Sequence, residues 1–235
     1  MMAVARLTTL GLAAVVMTAP GMGCHRGGAG GGVPPTSAAG RAVLLQPTDR
    51  HWSQPAPERF RVAVETTTGT FVLAIDRALA PHGVDRFHQL VTAGYFDDSR
   101  FFRVVPGFIA QFGIPGDPAI AQVWKDRAIV DDSVRTSNVR GTIAFAMTGP
   151  NTRTTQLFVS LADNSRLDAQ GFSPLGSVVE GIDVVDRLYG GYGENAGGGM
   201  RAGKQARMMA EGNAHLDRDY PKLDRIRRAY IIEAR

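Results

Sequence analysis

Apolar and polar residues alternate in short runs along most of the chain, with turn residues between the runs. Phe60 to Glu65 and Thr70 to Ile75 place apolar side chains at every second position, and Thr66-Thr-Thr-Gly69 joins them as a hairpin. Gly141 to Met147, Gln156 to Leu161, Gly176 to Val179 and Tyr230 to Glu233 continue as short strands, with a turn at Gly149-Pro-Asn151. A period near 3.6 occurs twice. From Pro81, the residues Val84, Phe87, Leu90 and Val91 share one helical face and Gly94 ends the pattern. Ile182, Val185 and Leu188 form a second, shorter apolar face. Residues 115 to 118, 190 to 203 and 204 to 228 lack either period; the first two read as loops and the third as a loop with one helical turn. Many short strands with two helices predict a mainly β domain, an antiparallel barrel or sandwich.

One stretch does not fit as simple core. Phe101-Phe-Arg-Val-Val-Pro-Gly-Phe-Ile-Ala-Gln-Phe-Gly113 is almost wholly apolar and reads as one or two strands broken at Pro106-Gly107. It carries a single charge, Arg103, and a single amide, Gln111. Arginine is rarely buried without a partner. Either Arg103 reaches solvent at a rim, or it projects into an apolar cleft where its charge is used.

The N-terminal part has a different composition. Arg6 followed by the apolar run Leu7 to Ala19 has the form of an export signal, too short to span a bilayer comfortably. Cys24, the only cysteine, follows directly. This arrangement resembles a bacterial lipoprotein signal, in which the thiol is acylated after cleavage, although Gly21 and Met22 stand where that signal usually has leucine and a small residue. A plain cleaved signal is the other reading. Residues 26 to 40, rich in Gly, Pro and Ser, predict a flexible tether. Residues 42 to 57 form an arm that either floats or packs through Trp52. The expected organisation is a signal at 1–23, a tether and arm at 24–57, and a domain at 58–235. One cysteine allows no internal disulfide, so stability after export must come from packing.

Charge and clusters narrow the function. The 26 Lys and Arg against 22 Asp and Glu leave a net +4, and the two signs interleave over most of the length. This argues against a nucleic-acid footprint. His82, His88 and His215 have no metal-ligand spacing, and no serine sits in a nucleophile elbow. Neither a metal nor a cofactor is expected.

The ordered blocks of the domain resemble the cyclophilin family. Phe101-Phe-Arg-Val-Val-Pro-Gly-Phe-Ile-Ala-Gln111 is similar to its first motif. Gly149-Pro-Asn-Thr-x-x-x-Gln-x-Phe158 is similar to the second. Leu167-Asp168 with Gly171-Phe172-x-Pro-x-Gly176 is similar to the bacterial form of the third. The likeness runs from about residue 60 to the C-terminus. It implies a closed eight-stranded antiparallel barrel capped by two helices, working as a monomer on proline-containing polypeptides. The implied activity is peptidyl-prolyl cis–trans isomerisation, here in folding exported proteins. A peptide-binding or chaperone module of little activity would share every motif.

The same likeness suggests site residues. Arg103, Gln111 and Phe108 are the catalytic candidates, with Arg103 as a fixed cation beside the prolyl nitrogen. Phe108, Ile109, Phe158 and Leu167 line an apolar slot for the proline ring. Ala146, Met147 and Gln156 lie along the path of the preceding residue, and Phe172 joins the substrate-binding set. Strand parity groups Arg103, Ile109 and Gln111 on one face, but not Phe108 unless Pro106-Gly107 shifts the register. The sequence departs from well-known members at Phe102 (usually histidine), Met147 (often asparagine), Arg166 (tryptophan), Phe172 (histidine) and Leu175 (phenylalanine). Without that tryptophan, tight cyclosporin binding is not expected.

Overall fold

The computed structural model describes residues 1–2, 37–194 and 205–234. The chain divides after Gly32 into two units. Of the first, only Met1 and Met2 are described, so the apolar run at 7–19 and Cys24 lie outside the described residues, as does most of the Gly-rich stretch at 26–40.

The second unit is built on eight antiparallel strands. They are β1 (Arg59–Thr66), β2 (Thr70–Asp76), β3 (Arg103–Val105), β4 (Ile109–Phe112), β5 (Thr142–Phe145), β6 (Leu157–Ser160), β7 (Pro174–Glu180) and β8 (Ile226–Ala234). They form one curled sheet in the order β3-β4-β6-β5-β7-β2-β1-β8. The β1–β2 hairpin pairs Arg59 with Asp76 through to Glu65 with Thr70, so the alternating run of β1 puts Phe60, Val62 and Val64 into the core.

The expected closed barrel is corrected to a curled half-barrel, because β3 and β8 end the ladder without pairing to each other. The cause is local. β3 has only three residues. The two phenylalanines before it diverge: Phe101 enters the main core, while Phe102 joins a separate cluster with Ile114, Met208 and Leu216. What remains between the two edges is a seam just outside the strands. Arg100 bridges Arg225, the Phe101 N–H donates to the Asp224 carbonyl at 2.9 Å, and the Ile226 N–H donates to Ser99 at 2.9 Å.

Helix α2 (Pro81–Thr92) follows the predicted face, with Val84, Phe87, Leu90 and Val91 buried. Its N-cap residue, Ala80, offers no side-chain acceptor. Asp132 supplies one from a distant loop, accepting from the N–H groups of His82 (3.0 Å) and Gly83 (2.9 Å). Asp132 is in turn held by Arg153 at 3.0 Å, whose side chain is 1% exposed and also contacts Asp131 at 3.1 Å. The helix ends on Gly94 at φ +73°, which lets the Tyr95 N–H return to the Leu90 carbonyl at 2.9 Å.

Two helices were expected, but six α-helices occur among the described residues. Helix α1 (Ala38–Leu44) takes up Ala38 to Gly40, the last residues of the stretch expected to be a tether, and is capped by Ser37. Leu44 is fully buried, and its carbonyl accepts from Trp124 Nε1 at 2.8 Å. A 3₁₀ turn at Arg50–Ser53 carries Trp52 to 4.3 Å from the ring of Trp124, in α3 (Pro118–Trp124). The arm thus packs on the sheet unit. Helix α4 (Ile182–Asp186) is the short helix read from the sequence, ending two residues earlier. Helices α5 (Gln205–Glu211) and α6 (Asn213–Asp219) replace the expected loop, and cover Phe102 with Met208 and Leu216.

Candidate active site

Arg103, the first residue of β3, lies directly opposite Gln111 of β4. The tight turn at Pro106-Gly107 (φ +73° at Gly107) brings the strands together, and the Phe108 N–H closes it on Val105 at 2.9 Å. Phe108 therefore sits in the turn, not in a strand, and parity does not govern it. Its carbonyl accepts from the Leu161 N–H and from Asn164 Nδ2, both at 2.8 Å, so the turn is pinned to the next wall.

Beyond β4, strand β6 places Phe158 opposite Gln111. Ile109, Ala144, Phe158 and Leu167 form a cluster separate from the main core, with Phe108, Ala146 and Phe172 packed on it. The Phe158 and Phe172 rings meet edge to face at 5.7 Å. Leu167 and Arg166 ride on a 3₁₀ helix (Ser165–Gln170) anchored by Asp168. The Asp168 carboxylate accepts from Ser137 Oγ, the Asn138 N–H and Asn138 Nδ2 at 2.5 to 2.9 Å. Desolvation works against its charge, yet these donors hold its carboxyl below the usual range. Asn138 also donates to the Phe172 carbonyl at 2.8 Å. The far wall is thus tied down by one carboxylate and one amide.

These groups enclose a cleft of about 370 Å³. It brings together Arg103, Phe108, Ile109, Gln111, Ala146, Phe158, Leu167 and Phe172. Met147 and Gln156 line a second cleft of about 240 Å³ with Thr148, Thr152 and Thr154, and Ala146 is shared by both. The sequence reading did not anticipate Gln170 and Glu194 in the first cleft, nor Gln205 in the second. Arg166 also lines the first cleft; it stood out in the sequence only as a replacement for tryptophan.

The polar groups form a line. Arg103 Nη1 donates to Gln111 Oε1 at 3.1 Å, Gln111 Nε2 to Gln156 Oε1 at 3.0 Å, and Gln156 Nε2 to Gln205 Oε1 at 2.9 Å. Arg103 Nη2 donates to Glu194 Oε1. The Arg103 side chain is only 11% exposed, and its Nε–H has no acceptor among the described residues. A cation is thus held by two of its nitrogens beside an apolar slot. That arrangement suits binding a partial negative charge or lone pair. Among the described residues that line the cleft there is no nucleophile positioned by a base.

A family model described as "Cyclophilin type peptidyl-prolyl cis-trans isomerase/CLD" matches residues 61–206. A peptidyl-prolyl cis-trans isomerase A of Dickeya dadantii is 33% identical over 148 residues, covering 58% of this chain and 74% of the relative. A peptidyl-prolyl cis-trans isomerase B of Escherichia coli is 29% identical over 172 residues, covering 69% and 93%. The crystal structure of a cyclophilin-type isomerase of Cryptosporidium parvum superposes with a TM-score of 0.55 at 18% identity, covering 75% of this chain and 99% of that one. A second structure of that protein was determined in the presence of the dipeptide Ala-Pro. The match over most of the sheet unit, with the Arg103 cleft inside it, places the chain in the cyclophilin-type peptidyl-prolyl cis-trans isomerase family.

Proposed function

We propose that the cleft isomerises Xaa-Pro peptide bonds of polypeptides outside the cytoplasm, with Arg103 as the catalytic cation. The barrier to amide rotation is ~18–20 kcal/mol because the C–N bond has partial double-bond character. Rotation needs no covalent step. It needs the prolyl nitrogen to lose resonance and become pyramidal, which exposes a lone pair. A fixed guanidinium donor at that lone pair favours the twisted state over either planar one, which is binding selective for the transition state. Arginine keeps its charge even where partly desolvated. The apolar slot of Phe108, Ile109, Phe158 and Leu167 takes the ring. Gln111, steadied by Gln156, holds a backbone group while the other side turns. The second cleft takes residues before the proline.

The observation that carries this reading is the nearly buried Arg103 guanidinium beside an apolar slot. Arg103→Ala is expected to lower kcat/KM for a proline peptide at least about a hundredfold, with an unchanged circular dichroism spectrum. Equally slow turnover by wild type and variant would instead favour a proline-peptide-binding module.

For location, the Arg6, Leu7–Ala19 and Cys24 pattern supports export and acylation at Cys24, with the intervening Gly-rich residues as the spacer that lifts a monomeric domain from the membrane.

A further inference from the structure

Both guanidinium groups of the first cleft stack on one ring. The Arg103 guanidinium carbon lies 5.6 Å from the centroid of Phe108, and that of Arg166 lies 4.8 Å from it. Their charges are handled differently. Arg103 is nearly buried and engages Glu194. Arg166 is exposed at the mouth; the one hydrogen bond of its guanidinium within the described residues is a long contact to Asn164 Oδ1 at 3.4 Å, with no carboxylate bridged to it there. The carboxylates close to it in sequence are otherwise engaged. Asp168 faces Ser137 and Asn138, and Asp163 accepts from the Ser165 N–H. The cleft therefore presents a positive charge at its rim. Arg166 lines the first cleft and not the second. If residues before the proline occupy the second cleft, Arg166 meets the chain as it leaves the slot.

We propose that Arg166 selects substrates with a carboxylate side chain on the residue after the proline. This deepens, and rests on, the isomerase reading of the same cleft. The Phe108 ring limits the directions in which the Arg166 guanidinium can turn, so a carboxylate arriving above the slot meets a partly ordered donor fork. The pair stays solvent-exposed, which keeps the effect modest and sensitive to salt.

The test compares terminally blocked pentapeptides that differ only after the proline: Ala-Pro-Glu, Ala-Pro-Gln and Ala-Pro-Lys. Blocking both ends leaves the side chain as the one variable charge, and exchange NMR gives the isomerisation rates. At low ionic strength the wild type is expected to favour Glu over Lys about fivefold in kcat/KM, with Gln between them. Arg166→Ala brings the ratio close to one, and Arg166→Glu turns the preference toward Lys. Added salt compresses the wild-type ratio. Equal rates for the three peptides in wild type, or an unchanged ratio in Arg166→Ala, would overturn the proposal while leaving the isomerase reading intact. Failure to turn over even the Gln peptide would sink the isomerase reading itself.

Discussion

Two facts about Arg103 came from different sources. The lone charge in an apolar run marked it as a residue that needs an explanation, and the likeness to the cyclophilin motif supplied the expected role. Its partners were not visible in the sequence. Glu194 lies inside the Gly-rich stretch at 190–203, which has no hydrophobic period, and Gln205 opens a short helix that buries only Met208, so neither stretch carries a pattern that points at the cleft. Gln111 was legible through its shared parity with Arg103 and the motif, but its pairing opposite Arg103 and the amide line behind it depend on strand registers that only the folded sheet supplies. That line supports a prediction. Gln111→Leu removes the acceptor of Arg103 Nη1 and lets the guanidinium turn. A hydrogen bond to a charged group is worth about 1.5–3 kcal/mol, so kcat/KM should fall roughly tenfold to a hundredfold. Thermal unfolding should move much less than the rate. A variant with wild-type kcat/KM would show that the amide only fills space. Phe102 has a plainer reading: in place of the usual histidine, it is the apolar contact that lets α5 and α6 dock through Met208 and Leu216.

The elements with strong periods were the easiest to read. The β1–β2 hairpin, α2 and the two halves of the central stretch lie within a residue or two of their sequence positions. Helix α3 had a start signal that went unused: Asp117 caps it by accepting from the Ala119 N–H at 2.9 Å, and Pro118 takes the first turn. Two prolines nearby made the stretch look like a loop. Helices α5 and α6 are split by Gly212 and bury one or two residues each, too few to show a face. The start of α2 was read at Pro81, but its cap could not be found locally, because it comes from Asp132, about fifty residues on. Asp132→Ala takes away the side-chain acceptors of two backbone N–H groups and one partner of the fully buried Arg153. Breaking such a buried pair costs about 3–5 kcal/mol, measurable by urea denaturation. In the Asp132→Ala, Arg153→Ala double variant the losses should be less than additive. Additive losses would mean that the pair is not coupled.

For the whole molecule, the unit extends further toward the N-terminus than composition suggests. Residues from Ser37 onward belong to it, because Leu44, Trp52 and Ala56 reach the core that the strands leave open. Cys24 lies about a dozen residues before Ser37 in the sequence. Cys24→Ser is expected to shift the protein from the membrane fraction to the soluble fraction with its isomerase rate unchanged. Unaltered partition would point to an uncleaved apolar segment. The packed arm also has an optical consequence. The chain has two tryptophans, Trp52 and Trp124, and they are the pair that joins the arm to α3. Tryptophan emission and the tryptophan bands of the near-ultraviolet dichroism therefore report the docking of the arm and not the state of the proline cleft. A tryptophan-fluorescence titration with peptide would be silent even on tight binding, while loosening of the arm would show before the sheet unfolds.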